Sequence, residues 1–108
     1  MSTLKCRIRE GSMVARIAAW KMGSGNIAIV FGNVIHLHGV SRERFLANTA
    51  WVRHEVRHVR QYREAGFWRF LWRYVRDWRR YGYYNIPYEK DARLAETNPR
   101  ELEGVEIR

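Results

Sequence analysis

Fifteen consecutive residues, Phe67 to Tyr81, hold seven aromatic side chains and five arginines. Phe67, Phe70, Leu71, Tyr74, Val75 and Trp78 recur at steps of three and four. That is the spacing of one helical face and not the two-residue alternation of a strand. Arg69, Arg73, Arg76 and Arg80 fall off the stripe, so the run is predicted to be an amphipathic helix. A chain of 108 residues supports one modest core and must bury most of its aromatics there. Phe67, Phe70, Leu71, Tyr74 and Trp78 are therefore expected to face inward. Trp68, Trp72 and Arg79 lie off the stripe and are expected to be exposed.

The other segments arrange themselves around that helix. Ser12 is placed to cap a first helix, with Val14, Ile17, Ala18 and Met22 on one face and Gly23 to Gly25 ending it. Ile27 to Phe31 and Val34 to His38 are β-prone runs separated by Gly32-Asn33, which predicts a hairpin with a two-residue turn. In its second strand Val34, His36 and His38 share one face, and Ile35 and Leu37 the other. Ser41 caps a short turn through Phe45 and Leu46. Asn48 or Thr49 caps a helix running to Ala65 and stopped by Gly66. Pro87 opens a last helix through about Glu96. The expectation is one α+β domain over residues 1–108, with a core from about 12 to 97 and a loose acidic tail over 98–108.

Composition narrows the function classes. The single cysteine, Cys6, excludes an internal disulfide and a cysteine-rich metal site. No apolar run is long enough for a signal peptide or a bilayer span, which implies a soluble, cytoplasmic protein. The net charge is +9 and unevenly spread. Residues 42–81 carry eleven arginines against Glu43, Glu55, Glu64 and Asp77, while residues 82–108 lean acidic. Such asymmetry points either to an acidic partner or to a solvated arginine face.

The chemistry concentrates at His54-Glu55-Val56-Arg57-His58. Histidines four apart on a helix project from one face one turn apart and can share a tetrahedral Zn²⁺. Zinc lowers the pKa of a bound water, and a glutamate between the histidines is placed to take its proton before attack on a carbonyl. Two histidines need a third ligand. Glu64, six residues after His58, is excluded by geometry: with Gln61 where a helix-breaking glycine would be needed, an unbroken helix carries Glu64 about 9 Å along the axis. Glu89 qualifies best, since it lies in the first turns of the last helix, with Ala92 and Ala95 available for close packing on the zinc helix. His36 and His38 are rivals from a shared strand face. An oxyanion donor could come from Tyr83, Tyr84, Tyr88 or His36.

The run His54-Glu55-x-x-His58-x-x-Gln61, the aromatic helix after it, and Gly82-Tyr83-Tyr84-Asn85-x-x-Tyr88-Glu89-x-x-Ala92 together resemble short bacterial zincin-like proteins, whose layout is similar to the gluzincin branch of metallopeptidases. Asn33 to His38 also resembles the strand that such proteins place before the zinc helix, so the likeness spans about residues 12–96. It implies a minimal zincin-like α+β fold, a small sheet packed on the zinc helix, zinc ligands at His54, His58 and Glu89, and Glu55 as catalytic base. It also implies a sheet edge to which an extended substrate adds a strand. Arg93 departs from the pattern, which commonly has an aspartate four residues after the ligand glutamate to orient a zinc histidine. A second domain forming the far wall of the cleft has no counterpart here. The expected substrate is thus a short peptide or a flexible protein segment.

Two other functions fit the same residues. In one, the protein is a zinc-stabilised binding module whose arginine-aromatic helix, through Trp68, Trp72 and Arg79, contacts an anionic membrane or another acidic partner. No recognised nucleic-acid motif supports DNA or RNA as that partner. In the other, zinc is purely structural, with His36 or His38 closing the coordination sphere.

Overall fold

The computed structural model describes residues 3–108. Among the described residues the order is β1 (Leu4–Arg9), α1 (Met13–Met22), β2 (Ile27–Phe31), β3 (Val34–His38), α2 (Arg42–Ala47), α3 (Thr49–Ala65), α4 (Phe67–Tyr81), a 3₁₀ turn (Tyr83–Asn85), α5 (Pro87–Ala95) and β4 (Val105–Ile107). The α+β architecture matches the expectation. The sheet has the order β2-β3-β1-β4. β2 and β3 form the antiparallel hairpin, pairing Ile27 with His38 and Phe31 with Val34. Gly32 opens its two-residue turn at φ +63°, a conformation that glycine reaches without strain. β1 runs parallel to both β3 and β4.

Alternation along the strands divides the layers. Ile35 and Leu37 are fully buried in the cluster formed with Val52, Val56 and Val59 of α3, Phe45 of α2 and Phe70 of α4. The His36 side of β3 is covered by α1, whose cap residue Ser12 lies with Oγ 2.8 Å from His36 Nδ1. α1 turns inward not the expected Val14, Ile17 and Met22, which are exposed, but Ala15 and Ala19. Two alanines let the helix axis approach the sheet closely, and the larger residues stay outside.

A second correction concerns the ends of the core. Residues 98–108 are not a loose tail: Glu101 is 2% exposed and Val105–Ile107 completes the sheet. Arg60 Nε donates to Glu101 Oε2 at 3.0 Å, and Arg57 Nη2 donates to Oε1 of the same carboxylate. Arg60 Nη2 also donates to the Glu101 carbonyl oxygen at 2.7 Å. These bonds tie the segment to α3. Before residue 12, Leu4 and Cys6 enter the core while Lys5, Arg7 and Arg9 alternate outward, so the core begins with β1.

α4 follows its stripe in part. Phe70 is buried, and Leu71 and Tyr74 are half-buried. Phe67 and Trp78, expected inward, stay 39% and 47% exposed, because α4 lies at the rim and α3 covers only part of its apolar arc. Trp68 and Trp72 are exposed as expected.

Candidate metal centre

α3 runs unbroken from Thr49 to Ala65, with Asn48 Oδ1 accepting the Trp51 N–H at its start. Its faces divide the work. Val52, Val56 and Val59 enter the core, Arg57 and Arg60 hold Glu101, and His54, Glu55, His58 and Gln61 face the side towards α5. That helix packs on α3 through Ala92 and Ala95, both buried. Close approach at these small residues brings Glu89 against the histidines. Glu89 Oε1 lies 3.0 Å from His54 Nε2 and 3.2 Å from His58 Nε2, and the three candidate ligand atoms lie within 4.8 Å of one another. With zinc bonds of 2.0–2.1 Å, adjacent ligands of a tetrahedral ion stand about 3.3 Å apart. Both measured separations are close to that edge length.

The outer nitrogens decide what these separations mean. His54 Nδ1 lies 2.7 Å from Glu96 Oε2, and His58 Nδ1 lies 2.8 Å from Gln61 Oε1. Gln61 is held in that orientation because its Nε2 donates to the Tyr88 carbonyl oxygen (3.0 Å) and to Asp91 Oδ2 (2.8 Å). Both Nδ1 atoms therefore face acceptors and must carry their protons. A neutral imidazole then has a bare Nε2, and two bare Nε2 atoms would face a carboxylate oxygen, acceptor against acceptor. Either both rings are imidazolium, with centroids 5.0 Å apart, or a cation sits among the three atoms. Two imidazoles and a carboxylate form a donor set suited to zinc.

Electrostatics without a metal follow from the same contacts. Burial works against Glu89's charge, but hydrogen bonds from His54 and His58, with Tyr74, hold it well below the usual carboxylate range. Tyr74 O–H donates to Glu89 Oε2 at 2.6 Å. Burial opposes the charge of His54, yet Glu89, Glu55 and Glu96 outweigh it and raise the ring to about 9. His58 is raised by Glu89 and Glu55 against the same burial cost. Glu55 is lifted to about 7 by burial, with His58 and His54 pulling the other way. Its Oε2 is buried without a hydrogen-bond partner, a costly state for a carboxylate oxygen unless a ligand or water is meant to meet it.

A cleft of about 480 Å³ opens on the His54 and Glu55 side of this group, while His58 and Glu89 lie buried behind it. His54 and Glu55 form part of its lining with Tyr83 and Glu96, and Trp51 and Ala28 flank them. Asn26, Ile27 and Ala28 bring the start of β2 to the cleft, and β2 is one of the two outer strands of the sheet.

Other candidates lie elsewhere. Among the described residues His36 and His38 join no metal-binding group; His36 is engaged with Ser12 and stacks edge-on against Phe31. Glu64 is exposed on the unbroken helix. Tyr84 is 69% exposed, with the Arg93 guanidinium 4.0 Å above its ring. Tyr88 stacks on Phe70, and its hydroxyl accepts from Arg73 at 3.4 Å. Neither hydroxyl is spent on the cleft. Tyr83 lines it, and burial, with the charges of Glu89 and Glu55, pushes its phenol upward, keeping it a donor. Glu96 was missed in sequence, although it lies seven residues, two helical turns, after Glu89 on the same side of α5. Searches against family models, curated proteins and solved structures found no match to this chain.

Proposed function

We propose that the protein is a zinc-dependent hydrolase of the metallopeptidase type, with His54, His58 and Glu89 as ligands and Glu55 as general base. The observation that carries this reading is the convergence of three acceptor atoms, each ring fixed by an outer acceptor, beside a buried carboxylate oxygen with no partner. Zinc bound there would supply a Lewis acid that acidifies a water molecule and polarises a carbonyl. Glu55, whose buried Oε2 has no hydrogen-bond partner in the protein, is placed to take a proton and return it to a leaving amine. Tyr83, not Tyr84 or Tyr88, is the side chain in the cleft suited to donate to a developing oxyanion.

The resemblance to zincin-like proteins and the place of β2 support a peptide substrate. An extended segment in the cleft would meet the unpaired edge of β2 and could pair with its backbone. The accessible substrates on this reading are short peptides and flexible protein segments. A purely structural zinc site would need a fourth protein ligand, and among the described residues the group holds three.

Metal analysis of untagged protein tests the ligand set: about one zinc per chain is expected, lost in His58→Ala. Digestion of a quenched peptide library by wild type and Glu55→Gln tests turnover. Full metal content in the variant with no cleavage supports the assignment, whereas unchanged cleavage removes Glu55 from the base role.

A further inference from the structure

α4 carries more apolar surface than the protein covers. With 3.6 residues per turn, Phe70, Tyr74 and Asp77 point inward, Phe67, Leu71 and Trp78 lie at the margin, and Trp68, Trp72 and Val75 point away. The exposures follow that order: Phe70 is 3% exposed, Phe67 39%, Val75 52%, Trp72 64% and Trp68 79%. The apolar arc thus runs past the buried arc by a full stripe, and Trp68, Leu71, Trp72 and Val75 line one shallow outer face. Arginines border it. Arg76 pairs with Asp77 at 3.1 Å and lies 5.0 Å over the Trp72 ring. Among the described residues Arg69, Arg79 and Arg80 have no carboxylate within ion-pair distance, since the arginine ion pairs involve Arg57, Arg60, Arg76 and Arg108.

We propose that this face of α4 docks on an anionic lipid surface. Tryptophans suit the headgroup boundary, with their rings in the apolar layer and their N–H groups wet. Arginines reach from the helix flank to phosphates while their stems stay on apolar ground. The complementarity is specific in sign, because the outer face presents cations with no acidic side chain among its lining residues. Leu71 and Val75 within this face decide against a nucleic-acid partner: aliphatic side chains have no aromatic plane on which a base stacks, but they enter acyl chains readily. The helix lies along the surface rather than through it, for no described helix is long and apolar enough to cross a membrane.

Co-sedimentation of the full chain with phosphatidylcholine vesicles, with and without phosphatidylglycerol, tests the proposal. Anionic vesicles should bind at least tenfold more strongly than neutral ones, and salt should weaken the binding. Arg79→Ala with Arg80→Ala should lower partition about fivefold for each charge. Trp68→Ala with Trp72→Ala should remove the binding that salt leaves, and bromolipid quenching of tryptophan should fall with it. All four positions are exposed, and circular dichroism of each variant checks that the fold is kept. Equal binding to neutral and anionic vesicles would overturn the proposal. So would no vesicle binding, or single-stranded oligonucleotide binding with none to vesicles. The vesicle readout does not depend on metal or on Glu55, so its failure leaves the hydrolase reading to its own tests.

Discussion

Glu96 Oε2 stands 2.7 Å from His54 Nδ1 and thereby fixes which nitrogen of His54 faces Glu89. A carboxylate behind a ligand histidine also raises the basicity of the ring. Loss of such a partner typically costs ten- to a hundredfold in metal affinity. Glu96→Ala is therefore expected to weaken zinc binding by about that factor, and Glu96→Gln by less, because an amide oxygen still accepts. Competition against a chromogenic chelator measures both. Equal affinities for wild type and Glu96→Ala would remove Glu96 from the site.

Zinc should displace protons. With both Nδ1 atoms committed to acceptors, metal-free His54 holds a second proton until about pH 9, and His58 is shifted in the same direction. A metal takes the lone pair of each Nε2, so binding at pH 7 is expected to release between one and two protons per ion. Calorimetric titration in buffers of different ionisation enthalpy gives the number directly. A value of zero would mean that the rings are neutral before zinc arrives.

Between about pH 6.5 and 9 the stability of the metal-free protein should fall as pH rises. His54 is raised from 6.5 to about 9, so its stabilising contribution is complete below 6.5 and disappears as pH passes through 9. Glu55 is raised from 4.5 to about 7, so its neutral form favours folding at low pH and its ionisation opposes folding between those values. Both act in the same direction. Zinc reverses the trend, because deprotonated rings bind it better. The gap in urea midpoint between zinc-loaded and chelator-treated protein should widen from pH 6 to pH 8.5. A constant gap would contradict the ligand assignment.

Glu101 offers a test of the fold away from the metal. Its side chain is 1% exposed, whereas those of Arg57 and Arg60 are 27% and 28% exposed. Breaking a fully buried pair costs 3–5 kcal/mol; here both arginines can turn to water, so Glu101→Ala should cost about 2 kcal/mol, after discounting for screening. Urea unfolding of the metal-free variant measures it. A loss below a few tenths of a kcal/mol would show that the segment is held by β4 and by the Arg60 bonds to backbone carbonyls, and not by the carboxylate.

The parts that could be read in sequence carry local signals. α3 declares itself by its Asn48 cap and the Gly66 stop, α4 by its period, and the hairpin by Gly32-Asn33 between two β-prone runs. His54 and His58 are read from their spacing, and Glu89 from its place after Pro87. β1 and β4 lack such signals. Lys5, Arg7 and Arg9 make β1 look like a basic flank, and its partners lie far off in sequence, at residues 34–36 and 105–107. α1 hides its inward face because alanines carry little hydrophobic weight beside Ile17 and Met22. The tyrosines fail for a geometric reason: successive residues of a 3₁₀ turn point about 120° apart. Only the packed turn shows that Tyr83, and not its neighbour Tyr84, enters the cleft.

β1 sits between β3 and β4, so one of its edges is completed by residues synthesised just over a hundred positions later. On the ribosome, α1 and the hairpin can form against β1 early, but the second edge stays open until β4 emerges. Pairings of such separation are slow to close, and an unpaired strand edge is a template for association with other chains. The Arg57 and Arg60 clamp on Glu101 fixes the chain to α3 four residues before β4, which limits where the final strand can lie. The last strand of this small sheet is thus anchored through the same helix that carries the histidines.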